Sequence, residues 1–257
     1  MKQNLSRIIS SEEVMPGICL MWFKAPEIAA TAKPGQFFML QCGADNLLRR
    51  PFSVHNVEDN GGNIAVLFSV VGRGTKWLSQ RRAGEKIDIL GPLGNGYAIS
   101  PASRNILMVG GGIGIAPLPF LVRTAVDRDC SVILLYGAAT AAQLCPDHLI
   151  PAEAKCVLAT DDGTAHTRGF ITDLLPEYIG RADQIFACGP VPLYRTMAKM
   201  PQLKYKPIQL SLEMRMGCGF GACYSCTIKT KRGLKQVCQD GPVFNLDDIL
   251  WDELVDI

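Results

Sequence analysis

The stretch Asn105-Ile106-Leu107-Met108-Val109-Gly110-Gly111-Gly112-Ile113-Gly114-Ile115-Ala116-Pro117 joins a short apolar run to a glycine turn. An apolar run with no polar alternation reads as a strand buried on both faces, the habit of parallel sheets. The glycines permit a tight turn and close approach of backbone to a ligand. A helix is expected to follow from Pro117 to Val126. Strand, glycine turn and helix is the place where a dinucleotide pyrophosphate docks. The turn departs from the strict G-x-G-x-x-G fingerprint, because Ile115 stands where counting from Gly110 demands glycine. Tyr136-Gly137-Ala138-Ala139-Thr140, at the end of the next strand, also lacks the acid that usually holds the ribose.

Working outward, further apolar runs follow the same rhythm: Ser131 to Tyr136, Lys155 to Thr160, Gln184 to Cys188 and Pro207 to Ser211, with a second helix expected from Val191 to Met200. Strands alternating with helices predict a doubly wound α/β domain over residues 101–212. Residues 1–100 read differently. Phe37 to Gln41, Ile64 to Val71 and Lys86 to Leu90 are short strand patterns, and Asp59-Asn60-Gly61-Gly62 is a hairpin turn signal. That spacing predicts a small antiparallel β-barrel. Residues 213–257 form a third zone, with a basic hairpin around Lys231-Arg232-Gly233. The expected class is therefore α+β and multidomain: barrel, α/β domain and C-terminal segment.

The C-terminal segment carries Cys218, Cys223, Cys226 and Cys238, spaced C-x4-C-x2-C-x11-C. This is the plant-type ligand pattern of a [2Fe–2S] cluster, in which four thiolates complete tetrahedral sulfur around two irons. The glycines of Met216-Gly217-Cys218-Gly219-Phe220-Gly221-Ala222-Cys223 let backbone N–H groups turn toward sulfur. Zinc and disulfides are the ordinary alternatives. Zinc sites pair two short clasps, whereas here the clasps overlap and the last cysteine stands alone. Ten cysteines in 257 residues fall below the density of a disulfide scaffold. Of the remaining six, Cys19, Cys42, Cys130, Cys145 and Cys156 are expected to be small buried apolar residues.

Two barrel segments suit a flavin dinucleotide. In Arg49-Arg50-Pro51-Phe52-Ser53, the Arg50 guanidinium can fork onto pyrophosphate, and alternation sends Phe52 and Ser53 to opposite faces. The plain alternative is a strand start, which Pro51 also favours. In Val71-Gly72-Arg73-Gly74-Thr75-Lys76, glycines and a hydroxyl before a helix expected from Thr75 to Arg82 make a phosphate cradle, or else an ordinary capped turn.

Composition narrows the classes. With 26 basic and 24 acidic residues the net charge is +2, which gives no support to nucleic-acid binding. No apolar run is long enough for a membrane span. Met1-Lys2-Gln3-Asn4-Leu5 does not open like a signal peptide, which points to a reducing cytoplasm. Only His55, His148 and His166 are histidines, and no catalytic role is assigned to any residue.

In order along the chain, Arg50-Pro51-Phe52-Ser53, Gly111 to Pro117 and Cys188-Gly189-Pro190 resemble the ferredoxin–NADP reductase superfamily. Glu213-Met214-Arg215-Met216-Gly217-Cys218 and Val237 to Phe244 narrow the likeness to the electron-transfer subunits of dihydroorotate dehydrogenase B, over essentially the whole chain. The resemblance implies FAD on the barrel at Arg50, Pro51, Phe52, Ser53, Gly74 and Thr75. It implies NAD at Gly111, Gly112, Ile113 and Gly114, and a [2Fe–2S] cluster on the four C-terminal cysteines. Cys188 would face the nicotinamide, or equally be a buried strand-end cysteine. NAD rather than NADP is favoured because no Arg or Lys lies within Gly137 to Leu144 to hold a 2′-phosphate. The implied partner is a catalytic FMN dihydroorotate dehydrogenase subunit, in a heterotetramer. Electrons would pass from its FMN through the cluster and FAD to NAD+, in pyrimidine biosynthesis. The order follows from electron counts: nicotinamide exchanges two electrons, a cluster one, and a flavin either. Met214, Met216, Phe220 and Tyr224 would form a docking surface at the cluster or merely shield it. Lys229, Lys231, Arg232 and Lys235 would offset its charge or merely solvate the hairpin. The rival reading is a flavin/iron–sulfur subunit of a ferredoxin–NAD(P) or sulfide/sulfite oxidoreductase. A cluster-bearing redox regulator is a third, against which the flavin and nucleotide motifs argue.

Overall fold

Each N-terminal strand alternates between two destinations. β1 (Lys2–Met15), β2 (Ile18–Lys24), β3 (Phe37–Leu40), β4 (Arg50–Ser53), β5 (Asn56–Glu58), β6 (Asn63–Ser69) and β7 (Lys86–Leu93) make one antiparallel sheet in the order β4-β3-β7-β1-β2-β6-β5. Two short helices, α1 (Pro26–Ala29) and α2 (Arg73–Ser79), interrupt them. The ends of the order, β4 and β5, are separated in sequence only by Val54 and His55, so the sheet has to curl until its edges meet. β1 serves both flanks: Lys2–Arg7 pairs with β7 and Arg7–Met15 with β2, and two bulges in the β2 ladder bend it. The result is the expected antiparallel barrel, open between β4 and β5, where no ladder joins them among the described residues.

The structure, a computed structural model, describes residues 1–43, 47–58 and 62–254. β5 and β6 pair with Glu58 opposite Asn63, while the turn expected at Asp59-Asn60-Gly61 lies outside the described residues. Ile64, Val66 and Phe68 of β6 fill the barrel interior, and Ala65 and Leu67 face the second domain. A half-wet antiparallel strand would show polar residues on that second face. Here that face is an interface, so the strand reads as a continuous apolar run.

The second sheet contains β8 (Asn105–Gly111), β9 (Ser131–Ala138), β10 (Lys155–Thr160), β11 (Thr167–Arg168), β12 (Gln184–Cys188) and β13 (Ile208–Ser211), with helices α3 (Leu118–Val126), α4 (Leu175–Ile179) and α5 (Val191–Ala198). These six strands lie in the order β11-β10-β9-β8-β12-β13 and run parallel to one another. The order reverses beside β8, whose neighbours are β9 and β12. That is the topological switch point at which such sheets bind ligands.

Three helix starts or ends differ from expectation. A 3₁₀ turn at Gly112–Ile115 comes between β8 and α3. α5 stops at Ala198. α2 spans Arg73–Ser79 rather than Thr75 to Arg82, because Thr75 Oγ1 accepts the N–H groups of Val71 at 2.9 Å and Gly72 at 3.1 Å and so caps the helix from inside.

The C-terminal segment holds the expected hairpin, β14 (Thr227–Thr230) with β15 (Gly233–Gln236), then α6 (Val237–Asp240) and β16 (Val243–Asn245). β16 returns to the second sheet and pairs antiparallel with β13. Among the described residues no helix is long and apolar enough to cross a membrane. Cys19, Cys42, Cys130 and Cys145 are buried as expected. Cys156 is exposed: it lies at the start of β10, near the rim of the sheet, where strand alternation does not guarantee cover.

Candidate functional site

The four C-terminal thiols lie along a loop whose amides turn inward. Cys218 Sγ accepts the N–H of Phe220 at 3.5 Å and of Ala222 at 3.2 Å. Cys223 Sγ accepts that of Cys218 at 3.4 Å, Cys238 Sγ that of Gly221 at 3.2 Å, and Cys226 Sγ that of Cys238 at 3.4 Å. The winding needs left-handed backbone at Gly219 (φ 84°), Gly221 (φ 89°) and Tyr224 (φ 59°). A Cβ at Gly221 would collide with Oε1 of Gln239. The Gln236 side chain donates to the Gly221 carbonyl at 3.1 Å and fixes the peptide whose N–H points at Cys218.

The thiols differ in environment. Cys226 and Cys238 are buried, Cys218 is half-buried and Cys223 is exposed. Hydrogen bonds from Ser225 and from the Cys218 amide pull the Cys223 thiol down to about 6. Burial pushes Cys238 up to about 12, so holding it as thiolate requires a neighbouring cation. Four sulfurs with amide donors, graded from buried to exposed, fit a binuclear cluster, which spreads its ligands over two irons. Among the described residues no three His, Cys, Asp or Glu side chains converge as a one-ion site requires.

The loop rests on the barrel. A Cβ at Gly219 would stand 2.6 Å from Cγ of Met39, and Met39 on β3 pairs directly with Pro51 on β4. The cluster loop and the Arg50-Pro51-Phe52-Ser53 strand are therefore one residue layer apart. Asn95 holds the other flank, its side chain donating to the carbonyls of Gln239 and Asp240 at 3.1 Å each.

On β4, Phe52 turns into the barrel core against Phe68, ring centroids 5.5 Å apart, while Ser53 remains partly exposed on the opposite face. Arg50 and the Gly72–Thr75 turn come together: a Cβ at Gly74 would lie 3.5 Å from Arg50 Nε. Arg50 Nη1 donates to the Leu48 carbonyl at 2.9 Å. Thr75 spends its hydroxyl on the cap, so an anion placed here would have to be met by the first-turn amides and arginine. Arg49 adds a donor that sequence reasoning did not single out. It pairs with Asp88 at 2.9 Å, and its Nε is buried with no hydrogen-bond partner among the described residues.

At the switch point, a Cβ at Gly114 would run into the Cys188 carbonyl, so the turn after β8 touches the end of β12 backbone to backbone. Gly112 (φ 54°) faces open space, and a Cβ at Gly111 would stand 3.0 Å from both Pro190 and Leu193. Burial, then the charge of Glu213, push the Cys188 thiol up to about 12, so it is a neutral thiol among Tyr97, Tyr194 and Ser211. His55, two residues beyond β4, places Nδ1 2.6 Å from the Ala116 carbonyl at the end of the glycine turn. A carbonyl only accepts hydrogen bonds, so Nδ1 carries the hydrogen and donates it. No local signal marks this contact, since its partners are far apart in sequence. His166, by contrast, is an exposed loop residue with φ 57°.

Three of the four hairpin cations meet carboxylates: Lys229 with Glu253 at 2.7 Å, Arg232 with Asp248 at 3.0 Å and Lys235 with Asp240 at 3.1 Å. Met214 and Met216 pack on the core, leaving Phe220 and Tyr224 exposed beside the thiols.

Residues 213–250 match the iron–sulfur cluster binding domain of dihydroorotate dehydrogenase B. The dihydroorotate dehydrogenase B (NAD(+)) electron transfer subunit of Desulforamulus reducens is 37% identical, over 96% of this chain and 98% of its own length. That of Bacillus caldolyticus is also 37% identical, over 85% and 87%. A solved chain of the NADH-dependent reduced ferredoxin-NADP oxidoreductase, described for flavin-based electron bifurcation, superposes with a TM-score of 0.89 at 28% identity, covering 98% of this chain and 91% of that one. With a barrel, a switch-point crevice and a sulfur-bearing loop in this order, and relatives similar over nearly the full length, the chain belongs to the family of dihydroorotate dehydrogenase B electron-transfer subunits.

Proposed function

We propose that this chain is the cytoplasmic electron-transfer subunit that links a catalytic FMN dihydroorotate dehydrogenase subunit to NAD+ in pyrimidine biosynthesis, the two forming a heterotetramer. The observation that carries the reading is the sulfur loop laid on Met39, directly beside the flavin strand. Cys218, Cys223, Cys226 and Cys238 would hold the [2Fe–2S] cluster, with amides from Phe220, Gly221 and Ala222 holding charge on sulfur. Arg50 and the Gly74–Thr75 turn would bind the FAD pyrophosphate, and Pro51, Phe52 and Ser53 would seat the flavin ring. Gly111, Gly112, Ile113 and Gly114 would admit NAD to the switch point, with neutral Cys188 at its nicotinamide end. When bound, the flavin exchanges hydride with nicotinamide and single electrons with the cluster. The chain's own task is to orient these groups, exclude water between them and set their potentials. In this division, residues 1–100 serve the flavin, 101–212 the nucleotide and 213–257 the cluster.

The likeness to the ferredoxin-NADP oxidoreductase chain supports a second reading, in which the electron donor is a ferredoxin system. One experiment separates them. The chain alone should oxidise NADH with artificial acceptors and leave dihydroorotate untouched. Co-expressed with the FMN subunit, it should give a stable complex that reduces NAD+ with dihydroorotate. In that complex Cys223→Ser should lose iron and sulfide while keeping FAD. Failure to co-purify with the FMN subunit, or dihydroorotate oxidation by the isolated chain, would overturn the reading.

A further inference from the structure

Ser225 stands between the second and third sulfur ligands, and its hydroxyl makes two contacts. The Gly217 N–H donates to Oγ at 2.9 Å, and Cys223 Sγ lies 3.1 Å from the same oxygen. A serine hydroxyl has a single proton to give. The Gly217 amide brings its own, so Oγ is the acceptor in that contact and its proton stays available. A cysteine that binds iron is a thiolate and has no proton to offer. The allocation that satisfies both contacts is therefore an O–H donated by Ser225 to Cys223 Sγ. The backbone leaves room for it: a Cβ at Gly217 would stand 3.1 Å from Cys223 Sγ and 3.4 Å from Ser225 Oγ. Cys218, Cys226 and Cys238 are met by backbone amides, whereas Cys223 has this hydroxyl against it beside the Cys218 amide. The hydroxyl is thus the extra donor on the most exposed ligand.

We infer that Ser225 is a positioning residue that raises the reduction potential of the cluster through its hydrogen bond to Cys223 Sγ. This rests on the four cysteines holding a [2Fe–2S] cluster. On reduction one electron enters from the flavin or the partner subunit, no bond is made or broken, and the serine keeps its proton. Negative charge on the ligand sulfurs grows. A donor hydrogen bond strengthens with that charge, so the reduced form gains more than the oxidised form.

The test uses the purified complex as wild type, Ser225→Ala and Ser225→Thr. Iron and labile sulfide are counted, the midpoint is followed by electron paramagnetic resonance, and Fe–S stretching bands are recorded by resonance Raman in H2O and after brief transfer to D2O. Ser225→Ala should keep its iron and sulfide but show about a tenfold lower ratio of reduced to oxidised cluster at the wild-type midpoint, a fall of about 59 mV for a one-electron couple. Ser225→Thr, which keeps the hydroxyl, should restore the midpoint. In wild type the hydroxyl should exchange before the hydrogen-bonded amides and shift the Fe–S bands at once. A fully loaded Ser225→Ala with the wild-type midpoint would overturn the inference. Should that variant fail to load, the absence of an early deuterium shift in wild type overturns it instead. Wild-type complex without iron and sulfide would remove the cluster reading beneath it, a different and separable failure.

Discussion

At the scale of single residues, two side chains offer sharp measurements. Arg50 reaches toward the Gly74 turn with a guanidinium that is only partly used by the Leu48 carbonyl. A charge-assisted contact to pyrophosphate is worth roughly 1.5–3 kcal/mol, so Arg50→Ala should lose about one to two decades of FAD affinity. Gel filtration of the variant should strip its flavin, and unchanged retention would move the site. His55 is buried, and burial lowers it from 6.5 to about 4. It stays neutral in the fold, whereas in the unfolded chain it takes a proton near its ordinary value. Its contribution is therefore fully present above pH 6.5 and is lost as pH falls from there through about 4. The total is on the order of 3 kcal/mol. His55→Gln, able to donate to Ala116 without titrating, should melt with a flatter pH dependence than wild type between pH 7 and 4.5. Parallel pH profiles of the two proteins would show that His55 does not control this slope.

At the scale of elements, the glycine turn after β8 is the most constrained. Gly114→Ala places a methyl group on the Cys188 carbonyl, where backbone cannot yield cheaply. Overpacking of this kind costs about 1–3 kcal/mol. The variant should keep FAD, iron and sulfide, yet show at least a tenfold rise in KM for NADH, on the reasoning that the crevice has been spread. An unchanged KM would separate the turn from nucleotide binding. The strands that are short apolar runs bounded by turn residues were legible in the sequence, as at Asn105–Val109 and Ile64–Phe68, whereas the long, largely polar β1 and the short β5 and β11 carry no such local pattern. The cysteine spacing was legible for the same local reason. What was hidden is what depends on distant chain. The return of β16 to β13, the bond between His55 and Ala116 and the pairing of Arg49 with Asp88 join residues with no shared local pattern. Helix starts were misplaced where a side chain caps from within, as Thr75 does. The hairpin cations read as a field for an anionic cluster or as a solvated face, and the carboxylates that pair with Lys229, Arg232 and Lys235 (Glu253, Asp248 and Asp240) come from later in the chain.

At the scale of the whole molecule, the sulfur loop is fastened on both flanks. Upstream, β13 leads into it from the parallel sheet. Downstream, Asn95 grips Gln239 and Asp240, and β16 is laced back onto β13. Many redox chains carry their metal group on a tethered module that swings between donor and acceptor, so that throughput follows the friction of the solvent. Here the sulfur loop is soldered to the N-terminal barrel like a fixed contact. Electron passage within the chain should then be indifferent to viscosity: stopped-flow reduction of the cluster by NADH should keep its rate in glycerol once substrate binding is saturated. A rate that falls in proportion to viscosity would reveal a hinge where the structure has a weld.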